Sequence, residues 1–268
     1  MSVLIAIDQG TTSTRTVAYD KDLNIVYSEQ QEYSLQYPQD GWVEIDPLEL
    51  MQSVYGTLDP VLNSCPQITG VGITNQRETT LVWDADSGEP IYNAIVWQDR
   101  RTADECLRLK EAGFEKSIKT KTGLLLDPYF SATKISWILD NVQGARAKAD
   151  KGKLRFGTVD TFLLWQLSEG SIFKTDVTNA SRTNIYNIHA KEWDDDLLKI
   201  FNVPRSMLPE VHASDASFGM FERNNKNLKI TGVIGDQQSA LVGQRCFEPG
   251  EMKATFGTGC FLMVNTGQ

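Results

Sequence analysis

The chain is poor in metal ligands. Its 268 residues hold only two histidines, His189 and His212, and four cysteines, Cys65, Cys106, Cys246 and Cys260, with no Cys-x-x-Cys spacing. That scarcity argues against a zinc site and fits free thiols in a reducing cytoplasm. Long apolar runs are missing too, and none reaches membrane-spanning length. Met1-Ser2 leads straight into an apolar strand with no basic segment or cleavage site, so no secretory signal is expected. Positive charge is in the minority, with 26 Lys and Arg against 35 Asp and Glu and a net charge of −9. This balance argues against nucleic acid as the main partner, and an anionic ligand would need a local positive pocket. Neither G-x-x-x-x-G-K-[ST] nor G-x-G-x-x-G occurs, which excludes the two commonest phosphate-binding signatures.

Apolar side chains make up 41% of the residues, enough for a sizeable core in one large domain or two modest ones. The chain is organised around its first strand and turn. Val3-Leu4-Ile5-Ala6-Ile7 reads as a strand buried on both faces, and Asp8 closes it. Gly10 permits a tight turn whose N–H groups point one way and attract anions. The hydroxyls of Thr11, Thr12 and Ser13 add donors, Arg15 adds a fixed positive charge, and Asp8 can hold a hydrated Mg²⁺. The pattern suits nucleotide phosphates; it also suits a plain hairpin turn with solvated threonines. With a second strand following, the run from Asp8 to Arg15 resembles the phosphate loop of the actin-like ATPase superfamily, which includes sugar kinases.

Further along, Asp46-Pro47 reads as a helix start, with Leu48, Met51, Val54, Leu58 and Leu62 at helical spacing. Strands are expected at 25–31, 68–73, 81–83, 155–157 and 229–234, and helices at 103–112, 132–140 and after Thr158-Val159-Asp160. The stretch 175–183 reads as a loop, and 186–196 leads into a helix ended by Pro204. Asp236 opens a helix, and 253–267 reads as a second hairpin that echoes the first. Several strand ends carry polar residues: Asp8, Arg77-Glu78, Trp97 and Asp236-Gln237. Ligand sites in α/β sheets lie at such carboxyl ends. Arg77, Glu78 and Asp236 could converge on the hydroxyls of a small polyol, with Trp97, Tyr129 and Phe261 over its carbons. The bland alternative is a surface ion pair and three core aromatics.

Ile-Thr-Asn-Gln-Arg-Glu-Thr-Thr at 73–80 resembles the substrate motif of the glycerol kinases in the FGGY carbohydrate kinase family. So do Asn93 to Arg101, Asp127-Pro128-Tyr129-Phe130-Ser131, Thr178-Asn179-Ala180-Ser181-Arg182-Thr183, Gly235-Asp236-Gln237-Gln238 and Gly257-Thr258-Gly259-Cys260-Phe261. The resemblance implies an α/β, ribonuclease H-like domain of the actin-like ATPase type, with a mixed central sheet flanked by helices. It implies a glycerol-binding half at 1–247, and at 248–268 the first hairpin of a nucleotide-binding domain. Arg77, Glu78, Tyr129, Asp236 and Gln237 would bind glycerol hydroxyls, with Trp97 and Phe261 on its carbons and Asp236 as general base. Thr11, Thr12, Ser13, Arg15 and Thr258 would contact the phosphates of ATP, and Asp8 would hold Mg²⁺ through water.

The resemblance further implies a cytoplasmic enzyme, a dimer or tetramer at full length, with this chain inactive by itself. The stretch Arg223-Asn224-Asn225-Lys226-Asn227 lacks the glycine-rich loop that some bacterial members use for feedback by fructose 1,6-bisphosphate. Two other readings stay open: a non-catalytic polyol-binding or oligomerisation module, and a kinase for another polyol or sugar.

Overall fold

A computed structural model describes residues 2–256 and 259–267. The chain opens with an antiparallel meander, β1 (Ser2–Gln9), β2 (Ser13–Tyr19) and β3 (Ile25–Glu32). Helix α1 (Pro47–Ser64) crosses back and leads to β4 (Gln67–Asn75) and β5 (Leu81–Asp84). Then come α2 (Ser131–Asn141), β6 (Leu154–Gly157), α3 (Val159–Leu167), β7 (Gly219–Arg223) and β8 (Lys226–Gly235). Helix α4 (Asp236–Gly243) and the hairpin β9 (Met252–Phe256) and β10 (Cys260–Val264) complete the elements that concern the site.

The central sheet runs β7-β8-β4-β1-β2-β3. Strands β8, β4 and β1 are mutually parallel, and both outer pairs are antiparallel. This is the mixed sheet expected from the sequence. Helix α1 starts where expected, with the Asp46 carboxylate accepting from Leu48 N at 2.8 Å ahead of Pro47. It covers one face of the sheet through Leu50, Val54, Leu58 and Val61, which pack with Ile5, Ile7, Val71 and Ile73. The buried β2 hydroxyls find partners on α1: Thr14 pairs with Ser53 at 2.6 Å and Thr16 with Thr57 at 2.9 Å. A second core, around Ile135, Ile138, Leu139, Leu197 and Phe201, lies beneath α2. Among the described residues, no helix is long and apolar enough to cross a membrane.

Four expectations are corrected. β1 is not buried on both faces: Val3, Ile5 and Ile7 are buried, while Leu4 is 44% exposed and Asp8 faces solvent. The apolar run therefore gave no sign that the strand is covered on one side only. The stretch 175–183 is not a loop; it begins in a short strand, Lys174–Asp176, and continues into a helical turn, Val177–Ala180, capped by the Asp176 carboxylate. A small hairpin, Tyr186–Asn187 with Glu192–Trp193, precedes the helix Asp195–Phe201. That helix ends on Asn202, whose φ of +50° is left-handed, before Pro204 is reached. Helices at Glu115–Thr122 and Ala145–Asp150, and strand β7, were not anticipated. The two helices are short and mostly polar; β7 closes through Asn224 and Asn225, both at positive φ, a two-residue turn that asparagine tolerates.

Gly157, on β6, is packed tightly against rigid neighbours. A Cβ there would lie 2.7 Å from the Cβ of Thr161 and 2.8 Å from Trp83, both fully buried. Neither neighbour can swing away. Gly157→Ala should therefore lower unfolding free energy by about 1–3 kcal/mol. The check is an earlier urea midpoint at unchanged slope; an unchanged midpoint would contradict the packing argument.

Candidate active site

Register builds the site. Gln9 lies beside Asn75, and Asn75 beside Gly235, so β1, β4 and β8 end in one row. The residues that follow, Gly10, Gln76-Arg77-Glu78 and Asp236-Gln237, consequently emerge at one edge of the sheet. They open onto a pocket of about 130 Å³, lined by Thr11, Gln76, Arg77, Glu78, Trp97, Tyr129, Asp236, Gln237, Thr255, Gly259 and Phe261. Every residue expected to touch a polyol is in that lining. Of the turn residues expected at phosphates, only Thr11 is. Asp8, Thr12, Ser13 and Arg15 sit on the adjoining first hairpin, and Thr258 lies outside the described residues.

The walls are polar and fixed. Arg77 is buried; its Nε lies 3.1 Å from Asp236 Oδ1 and its Nη2 3.5 Å from Glu78 Oε1. Glu78, only 2% exposed, accepts from Arg182 Nε at 2.5 Å. The Arg182 guanidinium also lies over the rings of Tyr129 and Phe130. Trp97 meets Tyr129 and Phe261 edge to face, with centroids 5.6 and 5.9 Å apart, and its Nε1 donates to Thr11 Oγ1 at 2.9 Å. The aromatic wall is thus tied to the first turn. Gln237 Oε1 accepts from Lys253, which also donates to Thr255 Oγ1 at 2.6 Å. β9 is held against α4 by these contacts.

Beneath the row of strand ends lies a buried amide lattice. Gln76 Nε2 donates to Gly10 O at 2.9 Å and to Gln9 Oε1 at 3.1 Å, and Thr79 Oγ1 donates to Gln76 Oε1 at 2.7 Å. Tyr33 OH also donates to Gly10 O. Asn75 and Asn179 exchange amide hydrogen bonds at 3.0 and 3.2 Å, while Asp176 accepts from Asn179 Nδ2 at 2.8 Å. The turn at 176–180 thus anchors the end of β4, and Thr178 Oγ1 accepts from Gly235 N at 2.8 Å.

Burial raises the Asp236 carboxyl above its ordinary 3.8; Arg77 pulls it back and Glu78 pushes it further up. Asp8 is reachable by solvent yet hemmed in by protein, and that loss of hydration raises its carboxyl too, followed by repulsion from Asp236. Arg15, its register partner on β2, opposes the rise. The two carboxylates therefore feel one another across the site. Burial pushes the Tyr129 hydroxyl up to about 12, so it stays a neutral donor.

Gln76, Thr255, Arg182, Lys134 and Lys253 were not anticipated as parts of the site. Gln76 and Arg182 fall inside motifs singled out from the sequence, but their roles depend on contacts distant in the chain. Lys134 had a local signal: a lysine on the helical face shared by Ser131, Ile135 and Ile138.

Residues 3–243 match the FGGY family of carbohydrate kinases, N-terminal domain. The chain is 56% identical to a glycerol kinase of Alteromonas mediterranea, covering 98% of this chain and 55% of that relative. A glycerol kinase structure from Plasmodium falciparum with ADP superposes at a TM-score of 0.94 with 40% identity, over 100% of this chain and 55% of that one. A ligand-bound xylulose kinase of Lactobacillus acidophilus superposes at 0.88 with 21% identity, over 98% of this chain and 54% of that one, a likeness of fold. The chain spans about half the length of the relatives it matches. With strand order, pocket and family match in agreement, the chain belongs to the FGGY family of carbohydrate kinases and carries its N-terminal domain.

Proposed function

We propose that this chain is the polyol-binding half of an ATP-dependent glycerol kinase, forming sn-glycerol 3-phosphate. One observation carries the reading: Arg77, Glu78, Trp97, Tyr129, Asp236, Gln237 and Phe261, drawn from separate segments, line one small pocket. The likeness to glycerol kinases at 40–56% identity supports the choice of polyol.

Arg77 donates, Glu78 accepts, and Tyr129 offers a hydroxyl, a set that pairs with the alcohols of a three-carbon polyol. An analogue lacking one hydroxyl leaves a buried group of the site unpaired and is rejected. Trp97 and Phe261 cover the carbons. Asp236, 36% exposed, reaches the pocket and solvent together, and acts as general base on the attacking primary hydroxyl. Phosphoryl transfer passes through a loose transition state, so positioning and charge neutralisation do most of the work. Thr11, Thr12, Ser13 and Arg15, with Thr258, take the nucleotide phosphates. The carboxylates of Asp8 and Asp236, near enough to repel one another, suit Mg²⁺, which prefers oxygen donors and usually takes one or two carboxylates plus phosphates. Asp8 would hold that ion, and the ion supplies neutralisation of phosphate charge. Hairpin β9–β10 forms its own two-stranded sheet with Met252, Phe256, Leu262 and Val264 exposed on one face. We assign it to a second, nucleotide-binding unit and residues 1–247 to the polyol unit; by itself the chain binds glycerol weakly and turns over little.

Four measurements test the reading. The complete protein should phosphorylate glycerol, and turnover on xylulose or dihydroxyacetone with none on glycerol would overturn the choice of substrate. Asp236→Asn should lower kcat by about 10²–10⁴-fold. The wild-type kcat/KM should fall on an acid limb whose midpoint lies above 3.8, because protonated Asp236 cannot accept the hydroxyl proton; a profile flat through that region would remove Asp236 as base. Asp8→Asn should end turnover yet stabilise the ligand-free fold. The folded-state value of Asp8 is raised, so its ionised form disfavours folding once pH exceeds that value. Solvent screening keeps the expected gain near neutral pH to about 1–2 °C in Tm. A fall in Tm would contradict the repulsion between Asp8 and Asp236.

A further inference from the structure

Lys134 is a buried charge that the proposed chemistry leaves unused. It sits on α2 with no solvent exposure. Its Nζ donates to the main-chain oxygen of Glu78 at 3.0 Å and to that of Tyr129 at 2.8 Å. Among the described residues it forms no ion pair within 4.0 Å; Glu78, Asp99 and Asp127 attract it from further off, and Arg101 repels it. Burial is the larger effect and pulls the amine down to about 7. An ammonium in such a place is costly, and an apolar side chain of similar length would fill the space without that cost. What the lysine returns is geometry. Its two acceptors belong to residues from distant segments whose side chains meet in the pocket.

We propose that Lys134 is a positioning residue of the polyol site: its buried ammonium ties the main chain of Glu78 to that of Tyr129 and so fixes the spacing between the pocket's carboxylate and its phenol. Arg182 repeats the tie between the side chains, donating to Glu78 and lying over the Tyr129 ring. Two independent links thus span the same pair of residues. A three-carbon polyol presents its hydroxyls at short, fixed intervals, and misplacement of about 1 Å can cost up to 10²-fold in such a site. The inference rests on the reading that this pocket takes glycerol.

The test compares Lys134→Met with wild type in the complete protein. The glycerol KM, and the Kd by calorimetry, should rise about tenfold or more, with the KM for ATP unchanged. A purely structural lysine would instead lower Tm or yield and leave the glycerol constants alone, and that outcome overturns the proposal. Should the variant not fold, wild type decides by linkage. Acetic anhydride reaches Lys134 only when the clamp opens, and peptide mass spectrometry reads the rate. If the clamp must be closed for binding, glycerol at 100 times its Kd slows acylation about hundredfold, beyond any slowing of thiol labelling at buried Cys65, which lies at the far end of α1. Equal slowing at both positions overturns the proposal. Wild type that binds no glycerol at all would sink the polyol reading itself, a result distinct from either.

Discussion

An ionised carboxylate stripped of water must be compensated by cations or by other hydrogen-bond donors, and at Glu78 the choice of cations shapes the site. Glu78 is 2% exposed. An isolated ionised carboxylate would be prohibitively costly there. Arg77, its chain neighbour after β4, and Arg182, in the turn after 176–180, approach its carboxylate, while Lys134 on α2 donates to its main-chain oxygen. Both arginine-bearing turns must be in place for the charge to be tolerated. The same cations then serve second partners, with Arg77 on Asp236, Arg182 over Tyr129 and Lys134 on the Tyr129 main chain. Solving the burial of one acid has therefore fixed the placement of the groups around it.

A second buried charge shows the contrast. Arg101 is fully enclosed, donates to Asp99 and Glu44 at 2.8 Å, and lies over the rings of Trp42 and Trp137. Its partners satisfy one another and none lines the pocket. That cluster locks the segment following Trp97 to strand 44–45, which is a structural task. The Glu78 cluster leaves groups facing the cavity, and Asp236 stays partly open to solvent. Incomplete mutual satisfaction beside a cavity separates a binding site from a core network.

Much of this was legible in the sequence. The strand ends at Asp8, Glu78 and Asp236 could be read because parallel strands ending in polar residues converge at one edge. The Asp46-Pro47 start of α1 was legible because capping is local. What escaped has a common cause: it depends on partners far along the chain. Asn179 matters because Asn75 lies opposite, and Lys253 because Gln237 does. The one-sided burial of β1 escaped for a different reason. A run of apolar residues reports what a strand could bury, whereas α1 covers only the Ile5 and Ile7 face.

The two sides of the site are prepared to different degrees. On the pocket side, Arg77, Glu78 and Gln237 are buried and held by several partners each. A ligand entering there meets groups already aimed, so little ordering is paid on binding. On the first turn, proposed for phosphates, Thr12 and Arg15 are exposed, and Arg15 spends its Nε on Ser28 at 3.2 Å. Exposed donors in high dielectric neutralise phosphate charge weakly. On the proposed reading, the polyol contacts are largely in place within these residues, whereas phosphoryl transfer requires that the turn be covered and water excluded. The exposed apolar face of β9–β10, beside Phe261 in the wall, is a surface on which such a cover could be built.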